Sequence, residues 1–276
     1  RYMSLRFSLI ITILSLTIFG FTLKKNKLSD PEKEKVLLEI VKYVVERGHY
    51  NSIDLDDNFS VKIFDDFISK LDPQKRFFTV NDIRQLNRYK YKIDYQIKNY
   101  QLEFFEETYK TYNQRVSDAK LFVDKVFETD FDFSEDEFID LNNDSISFSF
   151  GKNQLFERWR KQIKYSVLDI VTQRYSSDSL DFNEIKIDAI STVKKNTNDF
   201  FDYANELDRD DWFSVFVNSF VSQFDPHTFY FKPDDKEKFD VSISGKFDGI
   251  GARLSRADGN VKIVDVIILS LIHIWR

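Results

Sequence analysis

The spacing of apolar positions divides the chain into a leading apolar run, a long stretch with helical periodicity and a short end with strand-like alternation. From Met3, read as the start of translation with Arg1 and Tyr2 as upstream read-through, one basic residue, Arg6, precedes an uncharged run from Phe7 to Leu23, closed by Lys24, Lys25 and Lys27. A run of about 17 residues behind a basic start suits a secretory signal peptide or a signal anchor over residues 3–24, and it is marginal for a membrane span. It has no polar face, which disfavours a helix buried in a globular core. No A-x-A pair marks a cleavage site; Thr17 with Phe19, or Gly20 with Thr22, are poor substitutes.

Helical spacing governs the next two hundred or so residues. Ser29-Asp30-Pro31-Glu32 combines an N-cap residue, a proline for the first turn and an acid near the helix start. Val36, Leu37, Ile40, Val41 and Val44 then trace one apolar face up to Gly48. A second helix is expected from Asp57 to Leu71. Apolar and aromatic residues from Ile83 to Tyr112 recur every three or four positions, which predicts one long hairpin-forming helix over residues 81–128 with an aromatic core stripe. Residues 130–150 are acidic and Phe-rich and read as a loop with a short strand. Helices are expected again over 154–175, 182–206 and 210–224.

An internal repeat lies within this stretch. Phe67-Ile-Ser-Lys-Leu-Asp72-Pro73-Gln-Lys-Arg-Phe77-Phe78-Thr-Val-Asn81-Asp82 aligns without gaps onto Phe220-Val-Ser-Gln-Phe-Asp225-Pro226-His-Thr-Phe-Tyr230-Phe231-Lys-Pro-Asp234-Asp235. Each copy ends an apolar helix at Asp-Pro, because proline disfavours helix at the residue before it, and passes an aromatic pair before a new acidic helix start. The two copies read as helix-turn-helix units that pack as related halves of one domain, or as two uses of a convenient helix stop.

After Phe239 the texture changes. Val241 to Leu254 alternates like a strand, Arg256-Ala-Asp-Gly259 reads as a hairpin turn, and Val261 to Ile267 reads as a second strand. The fold class expected is therefore mainly α: a helical domain over residues 28–240, then the beginning of a β-containing domain over 241–268. Residues 269–276, Leu-Ser-Leu-Ile-His-Ile-Trp-Arg, look like translated sequencing adapter and are read as a non-native tail, so His273 and Trp275 receive no functional weight.

Composition narrows the classes further. The chain has 276 residues with Gly 7, Pro 4 and Phe 29, which excludes collagen-like, linker-like and turn-rich all-β proteins. Lys+Arg 40 against Asp+Glu 46 gives a net charge of −6 with the signs interspersed, so no polybasic footprint for nucleic acid exists. Membrane contact is expected only through the N-terminal segment. With Cys 0, disulfides, thiol nucleophiles, thiolate metal sites and lipid-modified cysteines are all excluded.

Candidate chemistry is sparse. His49, His227 and His273 are the three histidines, and no H-E-x-x-H, Walker loop or G-x-G-x-x-G is present, so no metal or cofactor is expected. Ser-x-x-Lys occurs at Ser117–Lys120 and Ser191–Lys194, a frequency expected by chance here, and without the companion motifs of serine acyl enzymes. Asp225 and His227 read more simply as a helix stop with a polar turn than as a catalytic pair. Gly249-Ile250-Gly251-Ala252 can turn successive backbone N–H groups on one point and hold a peptide's terminal carboxylate, while an open strand edge pairs with the peptide. A β-bulge or tight turn would use the same residues.

Asp225-Pro226-His227-Thr228, followed by Tyr230 and Pro233 and then by Phe247-Asp-Gly249-Ile250-Gly251-Ala252, resembles the carboxy-terminal processing peptidases, or tail-specific proteases. The preceding helical segment, with its earlier Leu71-Asp72-Pro73, is similar to the N-terminal domain of their larger periplasmic members, and the resemblance covers residues 30–268. It implies an exported bacterial serine endopeptidase in which a helical domain leads into a PDZ domain that binds protein C-termini and then into a core with a serine nucleophile and lysine base. The substrate carboxylate would fall on Gly249, Ile250, Gly251 and Ala252. The sequence departs from that pattern after Ile268, so the core is expected to be absent from this chain, no serine or lysine in it is assigned a catalytic role, and the chain alone is expected to be inactive. An adaptor protein or a second copy of the chain is a further partner the resemblance allows. The alternative is an exported, non-enzymatic helical adaptor or scaffold that holds a partner protein in its aromatic groove.

Overall fold

The computed structural model describes residues 30–51, 53–143, 145–175, 181–244, 252–257 and 260–266. These fall into two compact units, divided between Thr228 and Phe229. In the first, α1 (Asp30–Gly48) and α2 (Asp57–Leu71) are followed by short helices α3 (Val80–Leu86) and α4 (Ile93–Lys98), then by α5 (Glu103–Phe127), α6 (Lys152–Tyr175), α7 (Phe182–Glu206) and α8 (Arg209–Val221). The second holds α9 (Pro233–Ser244) and an antiparallel hairpin of β1 (Ala252–Ala257) and β2 (Asn260–Val266). The chain is thus mainly α, as the periodicity predicts.

The first unit is organised around an aromatic seam between α2 and α8, the two helices that open the repeat copies. Phe67 meets Phe216 edge-on at 5.4 Å, Phe59 meets Phe220 at 5.9 Å, and α5 adds Phe104 and Phe105 against the same rings. Phe67, Phe104, Phe105, Phe216 and Phe220 are fully buried. Edge-to-face pairs of this kind contribute about 0.5–1.5 kcal/mol each beyond the area they bury. The helices of the two copies therefore pack on one another as related halves of one unit. A second cluster, in which Trp159 of α6 and Phe200 of α7 meet Phe77 and Phe201 packs on Trp159, joins the seam through Tyr112, which touches Phe77, Phe78 and Trp212.

Two ion-pair knots tie the helices together. Arg209, in the first turn of α8, donates to both oxygens of Glu34 in α1, each at 2.7 Å, and also to Glu106 in α5. Burial pushes the Glu34 carboxyl up and Arg209 opposes it; a two-pronged guanidinium bond needs an ionised acceptor, so the pair is charged. In the second knot Arg115 of α5 donates from Nε and Nη2 to Asp82, both at 2.8 Å, and from Nη1 to Asp118 at 2.7 Å. Asp82 also closes a capping box with Thr79 at the start of α3.

The structure departs from the sequence expectations in three places. The long helix expected over 81–128 is broken into α3, a 3-10 turn (Asn87–Tyr89), α4 and α5. At the second break Tyr100 adopts a left-handed φ of 55°, and the Gln96 side chain accepts the Phe104 N–H at 3.0 Å, which caps the next helix. In α1 the inward residues are Glu34, Leu38 and Val45, whereas Val36, Ile40 and Val44 are 48%, 54% and 57% exposed. The Glu34–Arg209 bond fixes that rotation. Val241 to Ser244 belong to helix α9 rather than to a strand, with the ring of Phe231 stacked on that of Phe239 at 4.9 Å.

Both repeat copies place an Asp-Pro turn after their first helix, directly at the end of α2 with Asp72 as its C-cap, and four residues past the end of α8 in the case of Asp225. Asp72 is buried, and its carboxylate accepts the backbone N–H groups of Arg76 at 2.8 Å, Phe77 at 2.9 Å and Phe78 at 2.8 Å, while its carbonyl accepts Lys75 N–H at 3.1 Å. Lys75 takes the left-handed φ of 49° that this turn needs. Burial pushes the Asp72 carboxyl up against the pull of those three N–H groups. Replacing Asp72 with Ala strands three buried donors and should lower stability by about 3 kcal/mol, whereas Asp225→Ala, in the more exposed copy, should shift the urea midpoint far less. Equal shifts for the two variants would show that the copies are not used differently.

The second knot makes the unit acid-sensitive. Burial raises the Asp82 and Asp118 carboxyls, but the hydrogen bonds of Arg115 and Thr79 on the first, and of Lys152 and Arg115 on the second, outweigh it and hold both below the usual carboxylate range. Above the unfolded aspartate value of about 3.9 their contribution is complete, and it is lost as pH falls through the depressed folded values, because the unfolded chain then takes up protons first. Asp82→Asn should therefore reduce the urea midpoint at pH 6 and flatten its fall between pH 4 and pH 2.5 relative to the parent chain, with a loss at pH 6 near the lower end of about 3–5 kcal/mol, since Arg115 keeps Asp118.

Candidate functional site

The Asp-Pro-His-Thr turn is where the first unit ends, and it is held by the residues that follow α1. Asp225, the counterpart of Asp72, accepts the His227 N–H at 2.7 Å on one oxygen and the Tyr50 hydroxyl at 2.6 Å on the other. Its carbonyl accepts Thr228 N–H at 3.0 Å, reproducing the Asp72–Lys75 turn. The Asn51 amide donates to the Phe224 carbonyl at 3.1 Å, satisfying one of the acceptors left free where α8 stops. His49 stacks on Tyr50 at 4.7 Å between ring centres, lies edge-on to Phe224 at 5.6 Å, and places Nε2 3.2 Å from Thr228 Oγ1.

This arrangement is a clasp rather than a catalytic centre. The Tyr50 hydroxyl and the His227 N–H hold the Asp225 carboxyl below its usual range, and the same bond raises the Tyr50 phenol. Both shifts favour the Tyr50 O–H to Asp225 carboxylate form. His227 contributes its backbone to the turn, so the simple reading of Asp225 and His227 as a helix stop with a polar turn agrees with the geometry.

The Ser-x-x-Lys strings lie on helix surfaces, and neither pairs its serine with its lysine. Ser117 donates to the Asn113 carbonyl one turn back at 3.0 Å while Lys120 pairs with Asp124. Ser191 is exposed, and Lys194 sits over the Phe127 ring at 5.9 Å. Of the predicted carboxylate-binding residues, Gly249, Ile250 and Gly251 lie outside the described residues; Ala252 opens β1 and pairs with Val266. The hairpin runs through Ala257 paired with Asn260, with a bulge between Arg253 and Leu254, and the Asp258-Gly259 connection, like His273, lies outside the described residues. No group of three His, Asp or Glu side chains that could hold a metal ion is gathered among the described residues. Nor is any described helix long and apolar enough to cross a membrane.

Tyr50 and Asn51 carry no motif, and sequence reasoning did not single them out. The available signal was their place just past Gly48, where a helix has ended and side chains are free to reach another helix terminus.

With this geometry in view, comparison with known proteins places the chain. The model of the tail specific protease N-terminal domain matches residues 40–234, which spans α1 from its third turn to the start of α9. A curated relative from Haemophilus influenzae named tail-specific protease is 24% identical over 250 residues, covering 89% of this chain and 35% of the relative. The chain thus spans about a third of the length of that relative. The match runs through both repeat copies and the clasp at Asp225, and the chain belongs to the tail-specific protease N-terminal domain family.

Proposed function

We propose that this chain is the leading part of an exported serine endopeptidase that selects protein substrates by their C-termini. The observation that carries the reading is the family match across residues 40–234, which includes the Asp225–Thr228 turn and is followed in the chain by the β-hairpin. In this reading residues 3–24 carry the protein across the inner membrane to the bacterial periplasm or its membrane face, as a signal peptide or anchor. Residues 28–240 form the non-catalytic helical domain. The hairpin begins a PDZ domain in which backbone N–H groups of Gly249 to Ala252 receive the substrate carboxylate and an open strand edge pairs with its backbone.

Peptide hydrolysis then needs a nucleophile made reactive by an adjacent base and an oxyanion held by N–H donors. A serine and a lysine supply these from the part of the protein that this chain does not include; Ser117, Lys120, Ser191 and Lys194 have no such arrangement. No cofactor takes part, and the expected partners are protein C-termini, with an adaptor protein or a second copy on the helical domain. The exposed stripe of Val36, Ile40 and Val44 on α1 is the feature that favours the second reading, a non-enzymatic adaptor. The downstream coding sequence separates them: a completed PDZ domain with a serine and lysine core supports the first, an immediate stop codon the second.

Two measurements test the proposal. A fusion of residues 3–30 to a reporter active only outside the cytoplasm should give signal, and a silent reporter from a stable fusion would remove the export claim. In the complete protein, a C-terminal peptide should bind as the free acid and lose about tenfold or more on amidation, since each charge-assisted hydrogen bond contributes about 1.5–3 kcal/mol. Gly251→Val should weaken the free acid to the same extent. Equal affinity for acid and amide would return the Gly249–Ala252 segment to a purely structural turn.

A further inference from the structure

The turn organised by Asp72 carries a guanidinium that nothing in the unit satisfies. Arg76 uses its backbone fully, its N–H on Asp72 at 2.8 Å and its carbonyl on the Trp159 indole N–H at 2.9 Å. Its guanidinium carbon lies 4.7 Å from the centre of the Trp159 ring, 4.6 Å from that of Phe200 and 5.4 Å from that of Phe77. Aromatic faces steady a cation without using its N–H donors. Among the described residues no hydrogen bond or ion pair reaches those donors. Asp72 acts on them only through its field, because its oxygens are taken by three backbone N–H groups. Burial pulls the Arg76 pKa down, and the half-exposed side chain has no hydrogen-bond acceptor among the described residues to offset that cost.

The guanidinium lines a surface cavity of about 380 Å³ between α6 and α7, a size that suits a small organic group. Ile163, Ile170 and Val193 give the cavity an apolar wall, and the side chains of Ser166 and Asn196 on its rim have no hydrogen-bond partner among the described residues. Arg76 is the single cation and Asp169 the single acid among the described lining residues, and Asp169 is engaged by Gln173 at 2.9 Å. One free positive charge facing apolar carbon matches a monoanion with an apolar body better than a phosphate dianion or a polyanion. The flat fork of a guanidinium matches the two oxygens of a carboxylate.

We propose that this cavity binds a carboxylate joined to an apolar group, with Arg76 as the two-pronged partner of the carboxylate, Asn196 and Ser166 as secondary donors, and the Ile163, Ile170 and Val193 wall against the apolar part. The C-terminal residue of a peptide and a free organic acid share this chemistry. None of these residues belongs to the Gly249–Ala252 segment, and the proposal does not rest on the reading of that segment.

The test is a titration of the purified chain, in buffer free of carboxylates, with 3-phenylpropionate and with acetyl-Ala-Ala-Leu as free acid and as amide, followed by quenching of Trp159 and by calorimetry. Saturable binding of either acid is expected, with the matching amide about tenfold or more weaker. Binding of both acids places the recognition in the shared carboxylate, whereas binding of one alone identifies the source. Arg76→Gln should abolish binding. Because that variant also disturbs the aromatic stack, Asn196→Ala, which leaves the stack intact, should weaken binding several-fold while preserving the circular dichroism and melting curve. Equal binding of acid and amide, affinity unchanged in Arg76→Gln, or no saturable binding of any of the three ligands overturns the proposal.

Discussion

A single buried carboxylate, Asp72, sets the geometry on which both aromatic clusters of the helical unit depend. Helix α2 must stop and the chain must turn within a few residues, so that Phe77 and Phe78 enter a core that already holds Phe67. Turning inside a core leaves N–H groups with neither helix partner nor water, and each such group costs on the order of 1–3 kcal/mol if nothing accepts it. Asp72 accepts three of them. The outer side of the same turn is received by α6, where Trp159 takes the Arg76 carbonyl and Arg158 takes those of Lys75 and Ser147. Val80 N–H, donating to the Ser149 carbonyl at 2.8 Å, then pins the end of the acidic loop beside α3. Loss of the carboxylate would therefore unsettle α2, α3 and α6 together.

The second copy shows the same device under a different constraint. Asp225 follows an apolar helix that ends at Val221 and closes the same carbonyl turn, yet it is half-exposed and its carboxylate accepts one backbone N–H instead of three. What it lacks in burial is supplied from the far end of α1 by Tyr50, which donates to Asp225, and by Asn51, which donates to the neighbouring Phe224 carbonyl. The first copy is closed by the core and the second by a side-chain clasp. The clasp fixes where the chain leaves the unit, because it grips the last residues before Thr228. Exposed hydrogen bonds of this sort open more readily than buried ones, so the exit from the unit is its more yielding end.

Much of this architecture could be read in the sequence, and the failures have identifiable causes. Helix α2 has the expected bounds, and α6 and α7 lie within a turn of theirs, because continuous apolar periodicity ran between clear cap residues such as Asp56 and Asp181. The breaks at Leu86 and Asn99 carry neither glycine nor proline; the first passes through a 3-10 turn, and the second is made by Tyr100 entering left-handed space and by the reach of the Gln96 side chain, none of which alters a period. The rotation of α1 was misread for a related reason. An apolar count favours turning Val36, Ile40 and Val44 inward, but the Glu34 carboxylate is bound on two oxygens by an arginine 175 residues away. Pattern reasoning has no access to such a partner. Of the site, the Asp225 turn was visible and its receivers Tyr50 and Asn51 were not, since a residue that acts by reaching another helix end leaves no mark in its own neighbourhood.

The distribution of unsatisfied chemistry separates structural from available groups. Arg115, Arg158, Arg160 and Arg209 all find oxygen partners within the first unit. Their charges are absorbed by the fold, and each draws two or more segments of the chain together. Arg209 also lies over the rings of Phe105 and Tyr109, but Arg76 is held by ring faces with no oxygen partner among the described residues, which fixes the position of the guanidinium while leaving its donors unused. A fold that needed Arg76 only as packing could have used a neutral side chain there at lower desolvation cost. Holding a charge in place, half out of water and beside an apolar wall is costly for stability and favourable for recognition, because the ordering and part of the dehydration that binding normally demands are already in place.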